Sequence, residues 1–143
     1  MSDPTKVRMD EQTFREQSAK VTEADAKKVV SSADDIIGKV LSGEALKQFA
    51  ADVQTLIEMV RDYVAGKYSD APWATIAAIV FALLYVLSPI DILPDFIPII
   101  GLADDAFVMT ICLRLIGSDL QKYRAWGERQ EPSQSASSDD KAV

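Results

Sequence analysis

Residues 73–87 read WATIAAIVFALLYVL, and the fold turns on them. No charged residue occurs in this run, and Thr75 and Tyr85 bring its only hydroxyls. A helix that is apolar all round is buried, either in protein or in lipid. At 1.5 Å per residue the run is about 22 Å long. A bilayer core is about 30 Å thick and takes roughly 20 apolar residues. The continuation, residues 88–105, reads SPIDILPDFIPIIGLADD. Pro89, Pro94 and Pro98 exclude one continuous helix through it. Ser88 suits a cap, Pro89 the first helical position and Asp91 the acidic place of a capping box. Leu93, Pro94 and Asp95 repeat the pattern, and Gly101 lets the chain reverse. Asp104 and Asp105 stand where negative charge meets the positive end of a helix dipole. A second apolar run, residues 106–116, carries Arg114 as its only charge. The whole predicts a helical hairpin with a Pro/Asp-rich turn.

Upstream, two apolar sets recur at intervals of three and four. Val29, Ala33, Ile36 and Val40 belong to the first, and Phe49, Val53, Leu56 and Val60 to the second. That spacing predicts two amphipathic helices. Thr22 with Asp25 resembles a capping box, so the first helix starts there, and Ser42-Gly43 marks its end. The expected class is all-α, a small helical bundle. Its expected divisions are a disordered arm over 1–20, an amphipathic helical region over 21–70, a hairpin domain over 71–126 and a disordered tail over 127–143. The arm has no apolar stretch of the kind a secretory signal needs, and Ser2 replaces the glycine of a myristoylation site.

Composition removes several functions. The 143 residues contain no histidine and one cysteine. Ser-His and Cys-His pairs, histidine metal ligands and an intrachain disulfide are therefore excluded. Fifteen basic residues against 22 acidic ones give a net charge of −7. An acidic chain lacks the basic face of a general nucleic-acid binder.

Tyr85, Ser88, Pro89, Asp91, Pro94, Asp95, Pro98, Gly101, Asp104 and Asp105 spell Tyr-x-x-Ser-Pro-x-Asp-x-x-Pro-Asp-x-x-Pro-x-x-Gly-x-x-Asp-Asp. This pattern resembles the bacterial YkvA-like family, a domain of unknown function. The resemblance covers about a third of the chain. It departs in the order Ile92-Leu93 and in the small Ala103, neither at an Asp or Pro position. It implies a compact helical hairpin, often membrane-embedded, and no activity.

Asp91, Asp95, Asp104 and Asp105 are the candidate metal ligands, because oxygen donors gathered in one turn suit Mg²⁺ or Ca²⁺. The competing role is helix capping and acceptance of backbone N–H bonds. No catalytic or cofactor-binding residue stands out, because no nucleophile has an evident base and no phosphate-cradling glycine loop occurs. No cofactor and no small-molecule substrate are expected. Cys112 reads as a small buried residue, and Arg114 as a side chain reaching past an apolar face or pairing with a turn aspartate.

Basic residues flank the hairpin at Arg61, Lys67, Lys122, Arg124 and Arg129, whereas its turn is acidic. An inserted hairpin would leave both termini cytoplasmic, with Trp73 and Trp126 marking one interface. The sequence thus predicts a non-enzymatic protein with a transmembrane or re-entrant hairpin and helices over 22–64 that bind a partner or self-associate. One alternative is a soluble cytoplasmic module that oligomerises through the hairpin, since a small domain seldom surrounds one helix completely. A second alternative is a cation-binding or cation-dependent protein built on the aspartate turn.

Overall fold

In the computed structural model, which describes residues 11–87 and 105–130, the chain is helical. Its elements are α1 (Glu11–Ser18), α2 (Glu23–Ser31), α3 (Ala33–Ser42), a 3₁₀ turn (Lys47–Phe49), α4 (Ala50–Val64), α5 (Trp73–Leu87) and α6 (Asp105–Gln130). No strand forms among the described residues.

The local chemistry of the sequence sets most of these bounds. Thr22 caps α2 reciprocally: its Oγ1 accepts from the Asp25 amide, and its own amide donates to the Asp25 carboxylate at 2.9 Å. α4 closes where Gly66 takes a φ of 81°, a conformation cheap only for glycine. The Gly66 amide then reaches Tyr63 O, and the Lys67 amide reaches Asp62 O. This reversal turns Tyr68 back into the core, where it is 2 % exposed.

The single helix expected after Thr22 is two helices. The chain breaks at Ser32, whose amide is shared between Lys28 O and Val29 O, while the Ser31 hydroxyl donates to Lys28 O. Serine side chains compete for backbone partners and loosen a helix at such points. The break lets Ala26 and Val29 on α2, and Ile36 and Val40 on α3, all enter one core. Both helices pack on α4 and on α5.

α5 is the axis of the bundle. It contacts α1, α2, α3, α4 and α6, and every residue from Thr75 to Val86 is buried. The expectation that a domain of this size leaves part of such a helix bare does not hold: five helices of the same chain cover it. The apolar faces of α2, α3 and α4 are thereby consumed inside the fold. Of their large apolar residues only Leu41 stands exposed, so these helices offer little apolar surface to a partner.

Residues 11–18 correct the expected disordered arm. They form α1, and Phe14 is fully buried at its centre. One aromatic side chain transferred from water contributes about 1.5–3 kcal/mol, which the polar composition of the segment conceals. At the other end α6 runs to Gln130, one turn past the expected limit at 126. No helix among the described residues is long and apolar enough to cross a membrane. α5 stops at 15 residues, and α6 carries Arg114, Asp119, Lys122 and Arg124 within its length.

Candidate functional site

Most of the sequence motif lies outside the described residues: Ser88, Pro89, Asp91, Pro94, Asp95, Pro98, Gly101 and Asp104. Asp105 opens α6. Tyr85 lies in the last turns of α5, buried beside Phe81 with ring centroids 6.0 Å apart. Among the described residues no three Cys, Asp or Glu side chains gather as a metal-holding group.

The organised polar chemistry sits at the opposite end of the hairpin, where α4 meets the second half of α6. The Tyr123 hydroxyl donates to Asp62 at 2.6 Å. Arg124 pairs with Asp52 at 2.8 Å, and the Thr75 hydroxyl donates to Asp119. Tyr68, Tyr123 and Trp126 pack mutually, with centroids 5.0–5.6 Å apart. Tyr63 and Trp73 meet at 6.1 Å. Of the tyrosines and tryptophans, all but Tyr85 therefore contribute to this end. Glu58, Arg61, Asp62, Arg124 and Trp126 wall a broad open groove of about 860 Å³ between α4 and α6.

The electrostatics hold these groups in unreactive forms. Burial pushes the Tyr123 phenol well above its ordinary value, and the bond to Asp62 and that residue's charge push it further. Tyr68 is raised by burial first, then by the negative charges of Asp70 and Asp119. Cys112 is enclosed, with its Sγ 3.8 Å from Ala78 O, and burial pushes its thiol up to about 12. A phenol or thiol so raised stays protonated at neutral pH and is a poor nucleophile. The cluster therefore fastens α6 to α4 and α5.

The basic residues and tryptophans of this cluster are visible in the sequence, but the bonds that join it are not. Asp62 and Tyr123 are 61 positions apart, and no periodicity links them. Arg114 reaches past the apolar face as expected, with its side chain 68 % exposed, and lies 3.9 Å from Glu11 on α1. Trp73 and Trp126 do lie at one end of the hairpin, each in an aromatic contact.

Fold and site together define a small all-α bundle built around an uncharged central helix. A family described as "Protein of unknown function (DUF1232)" matches residues 75–111, which span most of α5, the connection and the start of α6. The "Uncharacterized membrane protein YkvA" of Bacillus subtilis (strain 168) is 32 % identical over 87 residues, covering 61 % of this chain and 82 % of that protein. The chain belongs to the YkvA-like family. No solved structure matches it.

Proposed function

We propose that the protein is a non-enzymatic, membrane-associated helical bundle, docked on the cytoplasmic face of the membrane through the hairpin of α5 and α6. The observation that carries this reading is the uncharged helix α5, wrapped by the chain's own helices, in a chain related to a membrane protein. Enclosure of α5 favours docking of the folded bundle, whose hairpin exposes Trp73 and Phe107, over threading of the hairpin. The sequence joining α5 to α6 adds eight large apolar residues between Ile90 and Leu102, so the hairpin is also the unit richest in apolar side chains. In this arrangement both termini lie on the cytoplasmic side, and the hairpin over 71–126 is the membrane-facing part.

Fractionation of the untagged protein in its native host tests this, with a high-pH carbonate wash of the membranes. Docking gives a protein that pellets with membranes at low salt and is released by the wash. Retention after the wash would mean a hairpin inserted across or into the bilayer. Recovery as a monodisperse soluble species from the start would establish the second reading, a soluble helical interaction module. That second reading, which oligomerises through the hairpin, has to use α6, because Thr75–Val86 are enclosed within one chain.

A further inference from the structure

α1 sits on the fold differently from every other helix. Phe14 is its only large apolar residue, and it is tied to α2 by the short link of residues 19–22. Its seat is made by α5 and α6. At the C-terminal end of α1, Arg15, Ser18 and Ala19 line a groove with Trp73, Ala74 and Leu115, and Trp73 is 37 % exposed. At the N-terminal end Glu11 meets Arg114. Two helical turns before Arg114, on the same face of α6, stands Phe107, 48 % exposed. Among the described residues, Trp73 on α5 and Phe107 on α6 are thus exposed large apolar side chains on the two helices that seat α1, and α1 covers Ala77, Ala78 and Phe81.

Charges meet at the same seat. Glu11 holds Arg15 at 3.0 Å on its own helix and Arg114 at 3.9 Å on α6. If α1 departs, Glu11 departs with it, whereas Arg114 stays beside the uncovered strip. Ala77, Ala78 and Phe81 are then exposed next to an unpaired guanidinium. An apolar strip with a basic side chain able to extend along it suits the headgroup boundary of an anionic bilayer.

We propose that α1 is a displaceable strap over a lipid-docking face of α5 and α6, and that an anionic bilayer surface takes its place, with Arg114 exchanging Glu11 for headgroup phosphate. This rests on the membrane-docking reading and deepens it. Departure of one short helix leaves α2, α3 and α4 packed on α5, so the strap opens as a local unit of the fold.

The test is hydrogen exchange on the full chain, alone and with vesicles of phosphatidylglycerol and phosphatidylcholine or of phosphatidylcholine alone. With the anionic vesicles, amides of Phe14–Ser18 lose protection while those of Ile79–Leu84 keep it. Glu11→Gln raises the vesicle-bound fraction, and Arg114→Gln lowers binding about fivefold, the scale for one basic residue at an anionic surface. Both positions are exposed, so neither substitution threatens the core. Binding with α1 still protected, or binding indifferent to both substitutions, overturns the strap and leaves membrane docking intact. Absence of binding by the parent and both variants to either vesicle overturns membrane docking itself, and the strap with it.

Discussion

Phe14 meets Phe81 edge to face, with ring centroids 5.1 Å apart and ring planes at 87°. Both rings are buried, one on the outermost helix and the other on the central one. Edge-to-face pairs add a directional term to area burial. The same contact has a different cost depending on which ring is removed.

Phe81→Ala leaves a cavity bounded by several helices and should cost about 3–5 kcal/mol. Phe14→Ala should cost less, because its loss is limited to what holds α1 in place. Chemical denaturation of both variants, followed by circular dichroism, checks the order. Equal losses would mean that α1 unfolds only with the whole bundle.

The enclosure of α5 predicts a scan without a silent face. Ile76, Ile79, Phe81, Leu84 and Tyr85 point in different directions around the helix, and each is at most 4 % exposed. Truncation of each to alanine should destabilise, by about 2–5 kcal/mol for Ile or Leu and about 3–5 kcal/mol for the aromatic Phe81 and Tyr85. A helix with one face on lipid or water would instead show neutral positions every three or four residues. Midpoints of urea unfolding across the five variants decide between these patterns.

The sequence made the local features legible. The uncharged run ended at Leu87, and the capping box at Thr22 formed as read, because both depend on residues within one turn of each other. What escaped depends on distance. α1 looks polar because one buried ring, Phe14, does all its apolar packing, and only the partner Phe81 gives that ring meaning. The break at Ser32 escaped because the apolar spacing runs through it unbroken, and only packing on both α4 and α5 requires the change of direction. Of the candidate site, Tyr85 sits buried as its apolar surroundings implied, whereas the Tyr123–Asp62 bond joins segments that no pattern connects.

Cys112 offers a probe of core opening. Its thiol is buried and pushed up to about 12, so little thiolate forms in mildly alkaline buffer. Alkylation of the native chain should be slow and should accelerate sharply in denaturant. Rapid labelling without denaturant would show that α5 and α6 separate in the native ensemble.

The aspartates of the connection separate capping from cation binding. As caps, each contributing about 0.5–2 kcal/mol, Asp91 and Asp95 should lose little of it on replacement by asparagine, since Asn also caps. Alanine at the same positions gives the full loss. Under this role the Tm of parent and variants is equally indifferent to Mg²⁺ and Ca²⁺. A rise in Tm with either ion in the parent, absent from Asp91→Asn with Asp95→Asn, would instead install a cation site there.

The Tyr123–Asp62 bond fixes how the fold responds to alkali. In the folded chain burial and the neighbouring carboxylate favour the neutral phenol, so it ionises well above the 10.0 of a free tyrosine. Between those values the unfolded chain gives up a proton that the folded chain keeps. Stability is therefore whole below about pH 10 and falls as pH rises towards the folded value. Tyr68, raised chiefly by burial, acts in the same direction. Tyr123→Phe should cost about 1 kcal/mol at neutral pH, through the lost hydrogen bond, and should make the alkaline decline shallower. Denaturant midpoints measured from neutral pH upward test both effects in one series. A decline of unchanged slope in Tyr123→Phe would mean that the phenol reaches solvent and that Asp62 does not hold it.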